Sequence, residues 1–350
     1  MDSWDYLIAK ADLTRGELRA APAVDLSEGE ALLAVERFSV TANNVTYAAM
    51  GDAFGYWSFF PAPEGFGRVP VWGFATVVAS KAEEVEPGLR LFGYLPMSSH
   101  VTMKLEKRGD GYIDVATHRA GLPPTYNQYA EAPEQTATDD HRALLRPLFG
   151  TSWLIDDFLE EAGDFGAGSV ILTSASSKTA LGLAYRLHKR GVPVTGLTSP
   201  GNMAFLDGLG TFAKVAAYDD IEALTVDGPV VIVDFAGNAG VIGRLHRHFA
   251  EAVVHSAIVG VTHWEASPEE VSLPGAPRAL FFAPDQIRKR AGEWGMAEFG
   301  RRFTDNLADF VANSPWLKLE TADGPEGLAR TWAAVVSGKT AADTGLIVKL

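Results

Sequence analysis

Between Gly168 and His188 the chain reads G-S-V-I-L-T-S-A-S-S-K-T-A-L-G-L-A-Y-R-L-H. Val170, Ile171 and Leu172 are consecutive β-type apolar residues, a cluster of small hydroxyl residues follows, and Leu181, Ala184 and Leu187 then recur at helical spacing. Strand, tight loop and helix in that order open an α/β unit. The alternation continues downstream, with strands expected at Val192–Leu197, Val230–Phe235 and Val253–Val261 and helices around Asn202–Gly208 and Ala239–Phe249. Repetition of this kind implies a doubly wound parallel sheet with right-handed crossovers. Pro193 must stand at the very start of its strand, because it cannot donate inside a ladder.

A helix that starts at the carboxyl end of a buried strand presents unpaired N–H groups and the positive end of its dipole, which suits a phosphate. Ala175, Ser177 and Ala180 stand where a dinucleotide motif places its glycines, and Ser174, Ser176, Ser177 and Thr179 add hydroxyl donors. None of the three small residues is glycine, so an ordinary α/β turn with no ligand competes with the nucleotide reading. Lys178 is the obvious cation of the loop; it is either a solvated lysine on the first helical turn or the partner of an anion. The second strand ends in Leu197-Thr198-Ser199 with no carboxylate to pair with a ribose 2′-hydroxyl, which favours NADP over NAD.

Other signatures are weaker. Lys178-Thr179 together with a strand ending in Asp234 is similar to the phosphate and magnesium motifs of P-loop nucleotidases, but Leu172 and Ser177 replace both required glycines. Tyr185 and Lys189 have a Y-x-x-x-K spacing on the wrong helix for short-chain dehydrogenase chemistry, and no G-x-S-x-G elbow occurs. His246 and His248 lie two apart and face different sides of a helix, so no metal set is expected. His263 follows the last strand of the alternation, where α/β folds place ligands, and is either structural or substrate-facing.

With no cysteine among 350 residues, disulfides, thiol nucleophiles and thiolate zinc sites are excluded. A formal net charge of -14 argues against nucleic acid and anionic membranes as partners. Acidic residues at the N-terminus and the lack of a long apolar run make a cytoplasmic protein the expectation.

Ahead of the alternation the chain is β-rich, with strands expected over Gly29–Val40, Val69–Ala79 and Leu89–Leu95. A turn and a short helix from Thr41 end at Gly51, and G-Y-W-S-F-F-P-A-P-E-G-F-G concentrates Tyr56, Trp57, Phe59, Phe60 and Phe66 on a loop. Such aromatics either line an apolar pocket or close a core. A polar loop from Pro123 to Gln135 carries Tyr126, Asn127, Gln128 and Tyr129; helices are expected at Asp139–Leu148 and Ser152–Ala162, and a long one over Asp285–Asn313 with Phe299, Phe303, Leu307 and Phe310 on one face. A helix capped near Gly338 and a strand Leu346–Leu350 end the chain.

This order of elements resembles the medium-chain dehydrogenase/reductase superfamily, on its zinc-independent, quinone-oxidoreductase-like side. F-S-V-T-A-N-N-V-T-Y-A-A-M-G-D is similar to the family's early turn and short helix, V-P-V-W-G-F-A-T-V-V-A-S to the segment that in zinc enzymes begins G-H-E, and G-L-R-L-F-G-Y-L to its glycine-aspartate-arginine-valine turn and strand. L-F-G-T-S-W-L-I-D-D-F-L resembles the helix leading into the cofactor domain, and the last 27 residues its return to the barrel. The resemblance implies a GroES-like β-barrel domain over 1–150, a Rossmann NADP-binding domain over 151–285, and a segment over 286–350 that rejoins the first domain. Phe74 occupies the zinc-binding histidine's place, so neither family zinc is implied in its usual form.

By the same resemblance, NADP contacts fall on Ser174, Ala175, Ser176, Ser177, Lys178, Thr179, Thr198, Ser199, Phe235, Ala236, Gly237, Val259 and Gly260. The implied reaction is NADPH-dependent, metal-independent reduction of a small activated carbonyl, enone or quinone-like substrate. Tyr47, with Asn43 or Asn44, is the expected proton or hydrogen-bond donor; Tyr56, Trp57, Tyr126, Tyr129 and His263 are expected at the substrate. A homodimer is the family's usual state. The alternative is a non-catalytic nucleotide-binding or interaction protein on the same fold, motivated by the missing zinc ligands and glycines; a degenerate P-loop nucleotidase is the remaining one.

Overall fold

The uninterrupted apolar runs V-I-L and V-V-I-V can be satisfied only by burial on both faces, and both are at the centre of a parallel sheet. The computed structural model describes residues 3–259 and 273–350. Gly260, His263 and the end of the expected strand to Val261 lie outside the described residues.

Six described strands form this sheet: Ser169–Leu172, Val194–Thr198, Lys214–Ala217, Val230–Asp234, Val253–Ile258 and Arg278–Leu280. Numbered in chain order, they lie side by side as third, second, first, fourth, fifth and sixth, all parallel. The order reverses between the first and fourth strands, which is the doubly wound arrangement with its ligand crevice at the switch point. Alternate residues serve opposite layers. Val170 and Leu172 pack with Leu181, Ala184 and Leu187 of helix Lys178–Lys189, whereas Ile171 and Ile232 pack with Ile242 and Leu245 of helix Ala239–Phe249. Each such fully buried side chain contributes about 1.5–3 kcal/mol.

Pro193 precedes its strand, as its missing N–H requires. The strands Lys214–Ala217 and Arg278–Leu280 were not expected; each is short and partly exposed, so neither shows an apolar run. Helix Met203–Gly208 agrees with expectation.

The chain divides into two compact units, Pro147–Trp316, which holds this sheet, and Met1–Arg146 with Leu317–Leu350. In the latter, a nine-stranded mixed sheet runs Lys318–Asp323, Thr344–Lys349, Ala31–Val40, Pro70–Ser80, Arg90–Pro96, Gln128–Glu131, Gly111–Asp114 and Leu105–Arg108, with His100–Met103 also on Ala31–Val40. Its core contains Leu33, Phe38, Phe59, Val71, Tyr94 and Trp332. The C-terminal strand pairs with Ala31–Val40, Leu346 opposite Val40. At Gly73 a Cβ would lie 2.1 Å from the Arg37 carbonyl oxygen, which is why the strand pairing admits only glycine there.

Several expected boundaries are corrected. The two helices after residue 139 are one, Asp139–Glu161, which carries Pro147 in its interior; the packing of Leu144, Leu145, Phe149 and Ile155 offsets the lost backbone bond. The long helix expected over 285–313 is two, Ala283–Trp294 and Met296–Ala312, because Gly295 takes φ +81 between them. Part of the polar loop after Pro123 pairs as strand Gln128–Glu131. An N-terminal hairpin, Trp4–Ala9 with Asp12–Ala20, and the strand Lys318–Asp323 went unseen in the sequence. No helix among the described residues is long and apolar enough to cross a membrane.

Candidate functional site

The loop after the first parallel strand is held from below. Thr173 Oγ1 donates to Asp234 Oδ1 at 2.7 Å and accepts the N–H groups of Phe235 (2.9 Å) and Ala236 (3.1 Å). Asp234, fully buried, also accepts from Ala236 and Gly237 N–H at 3.1 Å each and from Arg278 Nη2 at 2.8 Å. Its oxygens are therefore committed to the protein, which removes the carboxylate a P-loop reading needs for magnesium. The same bonds fix the turn Phe235–Gly237, and Val259 N–H closes on the Asp234 carbonyl at 3.0 Å.

Ser174 takes φ +47, a left-handed conformation uncommon outside glycine, and its N–H is held by the Tyr218 hydroxyl at 2.9 Å. Ala175 turns back into the core and donates to the Leu197 carbonyl at 3.0 Å. Ser177 is the N-cap of helix Lys178–Lys189, its Oγ accepting from Ala180 N–H. Lys178 and Thr179 are half-buried on the first turn.

Close approaches that a dinucleotide motif assigns to loop glycines are made elsewhere. A Cβ on Gly196 would lie 2.8 Å from the Phe212 ring and 3.0 Å from Ala175 Cβ; one on Gly182 would lie 2.7 Å from Ser152 Oγ. Ser152 Oγ also donates to the Thr179 carbonyl at 2.6 Å, tying the start of the helix to the preceding one.

Beside the loop, at the end of the second strand, is a neutral polar cluster. Ser176 Oγ accepts from Thr198 Oγ1 (3.2 Å) and from Asn202 Nδ2 (3.1 Å), and Asn202 Nδ2 also reaches Ser199 Oγ at 3.2 Å. Sequence reasoning found Ser176, Thr198 and Ser199 and missed Asn202, whose only signal was its place three residues after Ser199.

The second group lies in the β-rich unit. Helix Ala42–Ala49 begins with a capping box in which Asn44 Oδ1 accepts from Thr41 N–H at 2.7 Å, while Asn44 Nδ2 donates to the Pro70 carbonyl at 2.8 Å. Both ends of that amide hold backbone. One turn apart on the helix, Asn43 Nδ2 donates to the Tyr47 hydroxyl at 2.8 Å. Tyr47 is 5% exposed, and burial pushes its phenol up to about 12. It therefore stays protonated and available as a donor.

Around Tyr47 the rings of Tyr56, Tyr94 and Tyr126 have centroids at 4.6, 5.6 and 6.3 Å, and Trp72 lies 5.1 Å from Tyr94. Tyr56, Tyr126, Trp72 and Asn43 are half-buried. Burial raises the Tyr56 phenol and raises those of Tyr94 and Tyr126 well above the ordinary value. Trp57 instead fills the space between Gly51 and Gly67, and Tyr129 is buried behind the group with its hydroxyl donating to the Tyr94 carbonyl at 2.7 Å. His246 is fully buried between the Pro274 carbonyl and Ser256 Oγ. Among the described residues no three His, Asp or Glu side chains are placed to hold a metal ion.

Over residues 38–341 the chain matches the family described as protein of unknown function, DUF2855. The chain belongs to DUF2855. No curated protein matches it in sequence. Solved structures resemble the DUF2855 chain along its whole length. CurA from Vibrio vulnificus has a TM-score of 0.67 at 13% identity, covering 99% of this chain and 98% of that one. CurA in complex with NADPH gives 0.66 at 12%, with 99% and 98% covered. The quinone oxidoreductase from Coxiella burnetii gives 0.57 at 14%, with 100% of both chains covered. At these identities the likeness is one of fold, and it agrees with the strand order: this chain has a GroES-like β-rich domain and a Rossmann domain.

Proposed function

We propose that this protein is an NADPH-dependent, metal-independent oxidoreductase that reduces a small activated carbonyl, enone or quinone-like substrate. The observation that carries the reading is the donor set at the end of the second parallel strand. Ser176, Thr198, Ser199 and Asn202 are neutral hydroxyl and amide groups, joined in one network, beside the N-terminus of a helix and with no carboxylate among them. A ribose 2′-phosphate can be accepted there without repulsion, and an NAD-type ribose finds no acid to pair with its 2′-hydroxyl. The pyrophosphate falls to the Ser174–Thr179 loop and the first turn of its helix, and the nicotinamide side to Phe235, Ala236, Gly237 and Val259. NADPH complexed with CurA, on the same fold, supports this assignment.

When bound, the nicotinamide supplies hydride; what the chain's own residues add is orientation and a proton donor. Tyr47 is the donor in this reading. Asn43 donates to its oxygen, which polarises the phenol and leaves its proton for a substrate oxygen. As negative charge builds on that oxygen, a fixed neutral donor in a half-buried aromatic site stabilises it more than water does. Asn44 acts through the helix cap that positions Asn43 and Tyr47. Tyr56 and Tyr126 are the substrate walls.

Isothermal titration calorimetry tests the cofactor assignment: micromolar NADPH binding that outcompetes NADH is expected, and no binding of either would overturn it. A screen of enals, enones and quinones for NADPH oxidation separates the reductase from a non-catalytic nucleotide binder.

A further inference from the structure

In the aromatic group of the β-rich unit the Tyr94 hydroxyl is buried without a hydrogen-bond partner, while the Trp72 indole N–H beside it is directed at the Tyr47 hydroxyl. A buried donor left unmade costs about 1–3 kcal/mol, so a fold retains one where something else satisfies it. Trp72 and Tyr94 stand opposite each other on adjacent strands, in register, and their rings lie 5.1 Å apart. Tyr94 is 0% exposed, with its ring 4.6 Å from Tyr126 and 5.6 Å from Tyr47. From behind, the Tyr129 hydroxyl clamps the Tyr94 carbonyl, and Arg119 Nη1 holds the Tyr129 hydroxyl at 3.0 Å. Arg119 is in turn matched by Asp114 at 3.0 Å, so this layer brings no net charge forward.

We infer that Tyr94 is a substrate-binding donor beside Tyr47, and that this aromatic group of uncharged side chains selects an uncharged planar carbonyl compound over a carboxylate of the same shape. The inference rests on the reductase reading for giving the site to the substrate. Its physical basis is the donor chemistry. The front of the group consists of Tyr47, Tyr56, Tyr94, Tyr126, Trp72 and Asn43, none of them charged. Phenol, indole and amide N–H and O–H groups can satisfy a carbonyl oxygen and stack on a conjugated plane. A carboxylate entering the same place loses its hydration and meets no cation among these six side chains, a loss that neutral donors do not offset.

The test uses the full chain without cofactor, so that no turnover occurs, and measures binding of cinnamaldehyde and of cinnamate by calorimetry. Cinnamaldehyde is expected to bind at least tenfold more tightly than cinnamate. Tyr94→Phe is expected to weaken cinnamaldehyde about tenfold while leaving cinnamate unchanged. Tyr112→Phe, whose hydroxyl bonds the Glu84 carbonyl away from this group, is expected to bind both as the parent does. Because the Tyr94 hydroxyl has no partner to lose, Tyr94→Phe is expected to unfold at the parent's temperature or above it. Equal binding of the two ligands, or parent-like cinnamaldehyde binding by Tyr94→Phe, or no aldehyde binding at millimolar concentration, would overturn the inference. NADPH titrated into the same samples reports on the reductase reading separately: NADPH binding with no aldehyde discrimination sinks the inference alone, and aldehyde discrimination without NADPH binding sinks the cofactor reading alone.

Discussion

Asp234→Asn is the substitution that most directly probes how the loop after the first parallel strand is built. Oδ1 of Asp234 accepts the Thr173 hydroxyl at 2.7 Å and the Ala236 and Gly237 N–H groups at 3.1 Å, and Oδ2 accepts Arg278 Nη2 at 2.8 Å. An asparagine of the same shape has one oxygen. If it faces the three donors, its NH2 group is turned against the guanidinium; if it faces Arg278, three donors meet an NH2 group. Removing one charge of a buried pair costs about 3–5 kcal/mol. Arg278 keeps 12% of its side chain exposed, and water there relieves part of the loss, so the lower end, about 3 kcal/mol, is expected. For a unit of this size that corresponds to a fall of about 6–12 °C in unfolding temperature. Differential scanning calorimetry and urea unfolding with an unchanged m-value are the assays. A loss below about 1 kcal/mol would refute the claim that this carboxylate organises the loop and the Phe235–Gly237 turn.

Three further outcomes follow from the same geometry. Tyr47→Phe is expected to lower kcat on an identified substrate about a hundredfold with little change in NADPH affinity, the usual scale for losing one donor to a developing oxyanion; unchanged kcat would remove Tyr47 from the chemistry. Gly196→Ala pushes a methyl to 2.8 Å from the Phe212 ring and 3.0 Å from Ala175, so about 1–3 kcal/mol of stability should be lost, measured by urea unfolding. Burial pushes the Asp5 carboxyl up, but Arg68 and Ser98 outweigh it and hold it below the ordinary aspartate value. A lowered folded-state value means stability present above the unfolded-state value of about 4 and lost as pH falls through the folded one; Asp5→Asn should unfold earlier than the parent at pH 7 and converge with it in acid.

Much of the fold was legible because burial on two faces leaves its mark in consecutive residues. V-I-L before the loop and V-V-I-V-D after it specified the central strands, and Ala239–Phe249 was readable to the residue. Elements that bury little were not. Strand Asp12–Ala20 reads D-L-T-R-G-E-L-R-A and is mostly exposed, so its pairing with Trp4–Ala9 had no apolar alternation to announce it. Pro147 suggested a break where the surrounding side chains hold one helix together, and Gly295 made a break where periodicity suggested none. In the candidate site, residue types at strand ends pointed to Ser176 and Thr198, and the family resemblance pointed to Tyr47. Long-range partners could not be found that way: Thr173 with Asp234 are 61 residues apart, and Tyr218 caps Ser174 from 44 residues away. Tyr94 reads as an ordinary strand aromatic; only the fold shows that its hydroxyl is buried without a partner.

The central claim is that the neutral network of Ser176, Thr198, Ser199 and Asn202 makes the Rossmann domain an NADPH site. Calorimetric titration of the parent and of Ser199→Asp with NADPH and NADH tests it in one experiment. The account predicts that the parent binds NADPH at least tenfold more tightly than NADH and that Ser199→Asp reverses this preference through repulsion of the 2′-phosphate. Equal affinities for the two cofactors in the parent, or an unaltered preference in the variant, would contradict it.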